Sequence, residues 1–139
     1  MKSRQAKRLS AGIIITRLIN DQRQFLLLRA FNYWDFPKGM VEHNESPFSA
    51  AKREVAEETS LNELVFPWGK GFFETPPYSQ GKVARYYLAE TAQSQVRLLP
   101  NPETGRAEHV EYRWVSYQQA MALVSPRVRK VLQWAATRL

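Results

Sequence analysis

The chain has 139 residues and a mass of 16.2 kDa, the size of one ordinary domain. Hydrophobic residues make up 44% and charged residues 24%, the usage of a folded globular chain and not of a disordered one; no apolar run is long enough to cross a membrane as a helix, and the lack of cysteine excludes disulfides, thiol catalysis and cysteine-held metal. The net charge is +7, with its excess at the two ends: Lys2, Arg4, Lys7 and Arg8 open the chain, and Arg127, Arg129, Lys130 and Arg138 close it.

Residues 1–8, MKSRQAKR, read as a basic tail without apolar anchors, expected to be disordered, ahead of a single domain over 9–139. No long apolar core follows that basic start, so a secretory signal is not expected and a cytoplasmic protein without membrane contact is. Leu9 to Ile19 is rich in β-branched residues and predicts a strand. Asn20-Asp21-Gln22 predicts a turn, and Phe25 to Arg29 the hairpin partner. Tyr33 to Phe36 predicts a short aromatic strand that stops at Pro37-Lys38-Gly39. Ser46-Pro47 predicts a helix start, with a capping hydroxyl followed by a proline whose missing N–H costs nothing there; the helix should run from Pro47 to about Thr59 and bury Phe48, Ala51 and Val55.

Leu61 to Glu74 predicts an extended segment broken at Pro67 and Gly69, and Thr75 to Ser79, with two prolines, a loop. Lys82 to Glu90 predicts a strand with Tyr86 and Tyr87 on opposite faces, and His109 to Val115 another. Gln95 to Gly105 carries no clear pattern. Ser116 should cap a helix through Val124, and Ser125-Pro126 should open a last helix. The order gives an α+β chain, an α/β/α sandwich with a mixed β-sheet between helices.

The central helix carries the chemistry. At ~100° per residue, Glu57 lies ~60° to one side of Glu54 and Glu58 ~40° to the other. Three carboxylates so placed repel one another, and a divalent cation would offset that; oxygen-only ligands select Mg²⁺, or alternatively Mn²⁺, over zinc. Magnesium sites commonly share substrate phosphates, which points to phosphate-ester or anhydride chemistry. On these residues alone, a solvated helix face with the glutamates paired to Lys52 and Arg53 remains the alternative.

The residues upstream extend the pattern. Gly39 is followed after five residues by Glu45, then after seven by Arg53-Glu54-Val55-Ala56-Glu57-Glu58-Thr59-Ser60-Leu61. This resembles the Nudix box, with Ser60 in place of its final glycine. The resemblance implies a Nudix fold and a hydrolase of nucleoside diphosphates linked to another group. It implies that Glu54, Glu57 and Glu58 bind metal together with the Gly39 carbonyl. Arg53 would orient the glutamates, and Glu45 would pair with Arg53 and tie the loop to the helix. A serine at position 60 should cost roughly 1 kcal/mol if the helix end keeps a left-handed backbone, without loss of chemistry.

Four further segments are similar to the asymmetric dinucleoside tetraphosphate hydrolases of that family: Ala11 to Ile14, Phe25 to Leu28, Trp34 to Gly39, and Tyr86 to Glu90. A fifth, Glu108 to Trp114, resembles their glutamate-histidine turn before a strand, and implies that Glu108 is a fourth carboxylate, serving the metals or acting as general base. Diadenosine tetraphosphate cleaved to ATP and AMP is the implied reaction. For its charges and bases the chain offers Lys38, Arg29 and Lys82 as phosphate contacts and Tyr86, or the loop residue Tyr78, as a base-stacking ring. An RNA 5′-pyrophosphohydrolase and a nucleotide sensor without catalysis are the other readings, the latter opposed by the intact glutamates. A monomer is expected.

Overall fold

Asn20 and Asp21 both adopt positive φ, 51° and 66°, the conformation that a two-residue hairpin turn needs to match the twist of its strands. They join β1 (Arg8–Ile19) to β2 (Gln22–Ala30) in a computed structural model that describes residues 8–139. The chain continues through β3 (Tyr33–Asp35), β4 (Lys38–Met40), α1 (Pro47–Thr59), β5 (Leu64–Val65), β6 (Phe72–Glu74), β7 (Lys82–Thr91), β8 (Glu111–Val115), α2 (Tyr117–Leu123) and α3 (Pro126–Ala136).

The sheet is mixed and forks. β7 runs parallel along one side of β1, from Arg8↔Lys82 to Thr16↔Glu90. On the other side, β1 pairs with β2 only from Thr16 to Ile19. Nearer its start, the same side of β1 pairs with β4 instead, from Ser10↔Met40 to Gly12↔Lys38. β2, meanwhile, pairs with β3 from Leu28↔Asp35 to Ala30↔Tyr33, and β8 covers its outer side. β1 and β2 therefore part, and segment 33–40 fills the gap between them. Gly12 sits at the crossing: a Cβ there would lie 2.3 Å from the Pro37 carbonyl oxygen and 2.5 Å from Lys38 Cβ, so a side chain would drive the fork apart.

Alternation along the strands feeds two apolar layers, so β1 is apolar on both faces. Ile14, Phe25, Leu27, Tyr86 and Leu88 pack with Val128, Val131 and Leu132 of α3. Ile13, Ile15, Leu26, Leu28 and Tyr87 pack with Ala50, Ala51 and Val55 of α1. Phe48 is only partly buried and meets Phe66 and Tyr87 edge-on, with ring centroids at 4.9 and 5.1 Å.

The predicted α1 is reproduced at both ends. Ser46 accepts from the Ser49 amide, and Pro47 occupies the first turn. Several expectations need correction. The chain does not stop pairing at Pro37-Lys38-Gly39, because Lys38–Met40 is strand β4, held only by its partner β1. β8 begins at Glu111, not at His109. Only Leu64–Val65 and Phe72–Glu74 of the segment 61–74 pair, around a turn at Pro67 to Lys70. Arg8 belongs to β1 and not to a tail; the expected disorder of residues 1–7 lies outside the described residues.

Ser60 ends α1 at φ 65° and ψ 8°, with its amide bonded to the Ala56 carbonyl. That is the left-handed cap the sequence implied, occupied by a residue with a Cβ. Ser60→Gly should raise the unfolding free energy by about 0.5–1 kcal/mol, read from urea unfolding; an unchanged or lower midpoint would show that the cap carries no strain.

Candidate active site: a carboxylate helix in a cleft of mixed charge

Arg53 organises the acidic face of α1. Its Nε donates to Glu45 Oε2 at 2.6 Å and its Nη2 to Glu45 Oε1 at 3.0 Å, a two-pronged grip. Nη1 donates to Glu54 Oε2 at 2.8 Å and to Glu57 Oε1 at 3.3 Å, and Nη2 also to the Met40 carbonyl at 3.0 Å. Those bonds raise its pKa further above the ordinary arginine value and hold the Glu45 carboxyl below the usual range. The sequence-level pairing of Glu45 with Arg53, and of Arg53 with the glutamates, is what the structure contains. Gly39 packs directly on this cluster: a Cβ would lie 2.1–2.3 Å from the Glu54 carboxylate, so any side chain there would push that carboxylate off its place beside Arg53.

Glu58 projects inward on the other side of Glu54. Its side chain is 10% exposed and its Oε1 is buried without a hydrogen-bond partner. Burial pushes its carboxyl up to about 10, with the neighbouring Glu54 and Glu108 adding to the shift and Lys38 opposing it. His109 Nδ1 lies 3.8 Å from Glu58 Oε1, and burial lowers the pKa of this imidazole. Glu58, Glu108 and His109 line one narrow hollow. The loop before β8 brings the last two there: the Arg97 amide bonds to the Thr59 carbonyl, and the Val110 amide to the Arg29 carbonyl.

A wider cleft of about 690 Å³ opens beside this hollow. Glu54, Glu57 and Glu108 line it together with Lys38, Lys82 and Tyr78. Two sequence-level assignments fail here. Arg29 is not in the cleft: its Nε donates to Glu111 at 2.9 Å and its Nη1 to the Phe31 carbonyl at 2.6 Å. Tyr86 is 0% exposed and its ring packs in the core against Phe36, so it presents no face to a base. Both residues stand on strands whose facing was not fixed by alternation, since β2 and β7 are apolar on either side. Arg8 and Arg127, which also line the cleft, were missed as site residues. For Arg127 a signal existed: Ser125-Pro126 places it in the first turn of a helix, where a cation is disfavoured.

The donor set suits a hard divalent cation: carboxylate oxygens, a glycine backbone pressed against them, and one buried carboxylate oxygen without a partner. Among the described residues the acids are not drawn together at the spacing of a closed metal shell; Arg53 and the Glu58 proton neutralise them.

Over residues 7–135 the sequence matches the family described as NUDIX domain. The chain belongs to the Nudix family. Among curated relatives of this Nudix chain, the asymmetrical bis(5′-nucleosyl)-tetraphosphatase of Sus scrofa is 32% identical over 127 residues, covering 86% of the chain and 83% of the relative. The RNA pyrophosphohydrolase of Ectopseudomonas mendocina is 30% identical over 148 residues, covering 94% and 89%. A solved C. elegans Ap4A hydrolase in a binary complex superposes with a TM-score of 0.80 at 25% identity, covering 93% of this chain and 95% of that one. The Nudix fold, with its mixed sheet between helices, is thereby confirmed.

Glu58 keeps its proton in the folded state up to about pH 10 but releases it near 4.5 when unfolded. Between those values the unfolded state binds fewer protons, so this group's contribution to stability falls as pH rises. In EDTA, Glu58→Gln should lose that slope and gain stability relative to the parent chain at alkaline pH. Denaturant unfolding at about pH 5, 7 and 9 measures it, and parallel curves would contradict the buried, protonated assignment.

Proposed function

We propose that this Nudix chain is a divalent-metal-dependent pyrophosphohydrolase whose substrate is a dinucleoside tetraphosphate, with diadenosine tetraphosphate cleaved asymmetrically to ATP and AMP. The observation that supports it most is the juxtaposition, in one cleft, of the α1 glutamates with Lys38 and Lys82. The carboxylates can hold cations and the lysines the oxygens of a polyphosphate. The relative from Sus scrofa is named for that cleavage.

Glu54, Glu57, Glu58, Glu108 and the Gly39 carbonyl would hold Mg²⁺ or Mn²⁺. When bound, such an ion polarises phosphoryl oxygens and lowers the pKa of attacking water. The chain's own residues do the rest. Arg53 keeps Glu54 and Glu57 in one orientation while leaving each carboxylate oxygens to offer a ligand. Lys38 and Lys82 neutralise the phosphate oxygens as point charges. Glu108, which lines both the hollow and the cleft, would either serve the metal or accept the proton of the attacking water. Glu45 stays with Arg53 and has no part in the chemistry.

A second reading is an RNA 5′-pyrophosphohydrolase. It draws on relatives of that name, one of which covers 94% of the chain, and on Arg8 at the cleft margin following the basic segment of the sequence. A polyanion of that length would be held with a steep salt dependence. Cytoplasmic residence and a monomeric state complete the proposal; among the described residues no helix is long and apolar enough to cross a membrane.

The deciding experiment is a product assay in heavy-oxygen water on diadenosine tri-, tetra- and hexaphosphate, 5′-triphosphate RNA and an ADP-sugar. ATP plus AMP from the tetraphosphate, with the heavy oxygen in one product only, is the expected outcome. EDTA should abolish it. Glu57→Gln, at a side chain already 38% exposed, should lower kcat by about 10²-fold or more while leaving the melting temperature within a few degrees. Near-normal turnover by that variant would remove the glutamates from the mechanism.

A further inference from the structure

One buried polar cluster has no part in the chemistry above. The Tyr86 hydroxyl, deep in the apolar layer beneath α3, donates to Asp35 Oδ1 at 3.1 Å and accepts from Arg127 Nη1 at 3.3 Å. Asp35 Oδ1 also accepts from the Phe36 amide at 2.7 Å, and Oδ2 lies 3.5 Å from Arg127 Nη2. The Tyr78 ring covers the guanidinium, with Arg127 Cζ 4.1 Å from its centroid. Burial, with Asp35 beside it, holds the Tyr86 hydroxyl well above its ordinary pKa, so it stays a donor.

A merely structural Arg127 would serve to neutralise Asp35. Two observations ask for more. Arg127 stands in the first turn of α3, where the unpaired helix amides already carry positive charge and a cation costs stability. And the guanidinium is not sealed in by its partners: 29% of the side chain stays exposed, on the cleft that also holds Glu54, Glu57, Lys38 and Lys82. Among the described residues Lys38, Lys82 and Arg8 enter no ion pair, and Arg53 spends all five of its donors on Glu45, Glu54, Glu57 and Met40, so Arg127 is the cleft cation that is both held by fixed partners and left with donors to offer. A held guanidinium presents its remaining donors as a planar fork that matches phosphate oxygens, with little rotamer freedom left to lose on binding.

We propose that Arg127, set in place by Asp35 and Tyr86, is a preorganised phosphate-gripping residue of the cleft, binding non-bridging oxygens of the polyphosphate. This deepens the hydrolase reading and rests on it for the identity of the substrate; the grip on an anion does not require hydrolysis. Asp35 and Tyr86 are positioning residues that act through Arg127.

Calorimetric binding of ATP in EDTA tests the grip without turnover. Arg127→Gln should weaken ATP binding about 10- to 100-fold, the worth of a charge-assisted bond. Arg127→Lys should recover part of that loss. Tyr86→Phe, which removes one tether and little volume, should weaken binding a few-fold. In the turnover assay KM should rise with the same order and kcat change little. Arg138→Gln controls for the loss of one positive charge and should bind as the parent does. The paired variant Asp35→Asn/Arg127→Gln separates the two roles: if Arg127 only neutralised Asp35, removing both would restore binding, whereas the grip predicts that binding stays weak. ATP binding at parental strength by Arg127→Gln, or its recovery in the paired variant, overturns the proposal. If the parent chain hydrolyses none of the panel yet Arg127→Gln still loses ATP, the hydrolase reading falls and the grip stands. If the parent hydrolyses and Arg127→Gln binds normally, the reverse holds.

Discussion

The site depends on the guanidinium of Arg53. All five of its N–H donors are used: two on Glu45, one each on Glu54, Glu57 and the Met40 carbonyl. Glu45 and Met40 belong to the loop side of the cluster, Glu54 and Glu57 to the helix. One planar group thus sets the distance between the β4 loop and α1, and with it the packing of the Glu54 carboxylate on Gly39. A lysine could not replace it, since an ammonium has three donors and no fork. The arrangement also explains why a helix with Glu54, Glu57 and Glu58 on one side folds at all. Two of the acids share a single cation, and the third is withdrawn into the protein and holds its proton.

Glu58 is where stability and chemistry pull apart. A carboxyl with a buried, unpartnered oxygen costs folding free energy, more so if it must ionise. Nothing in the packing of α1 calls for it; an apolar residue at that position would join Leu98 and Leu99 in the same hollow. A strained electrostatic arrangement of this kind persists where the surrounding structure over-determines it; here Arg53 fixes the neighbouring Glu54, and Lys38 lies near enough to oppose the rise at Glu58. Ser60 belongs to the same ledger on a smaller scale: a left-handed cap with a side chain, tolerated at the end of the helix that carries the glutamates.

What could be read from the sequence was what local physics decides. The capping serines before Pro47, Tyr117 and Pro126 sit where they were placed, and so do the turn at Asn20-Asp21 and the breaks at Pro67 and Gly69. The acidic spacing on α1 is a property of 3.6-residue geometry and needed no tertiary knowledge. Lys82 reached the cleft because it opens a strand whose start was legible, whereas Lys38 and Glu108 were singled out by the motifs they stand in, although the strand ends beside them were misplaced. The failures share a cause. Tyr86 and Arg29 lie on strands buried or paired on both sides, so alternation gave no sign of which way they faced. β4 has three residues and exists only because β1 is there to pair with it. Arg127 was read as part of a basic end, when its meaning came from Asp35, far away in sequence.

The fork in the sheet joins these observations. Segment 33–40 enters the sheet as a partner of β2 and leaves it as a partner of β1, and that change of partner is possible because Gly12 lets the Pro37 carbonyl approach; the Ile13 amide then bonds to it at 3.2 Å. Along this short stretch the chain addresses both layers of the molecule. Asp35, still on β3, turns to the α3 layer and meets Tyr86 and Arg127. Gly39 and Met40, on β4, face α1 and meet Glu54 and Arg53. Lys38 stands between, close enough to the acids to act on Glu58 and His109. Two groups that line the cleft are therefore anchored to one short segment, Arg53 through the Met40 carbonyl and Arg127 through Asp35. The acids on one helix and the arginine on another are thereby tied to the same short stretch of chain.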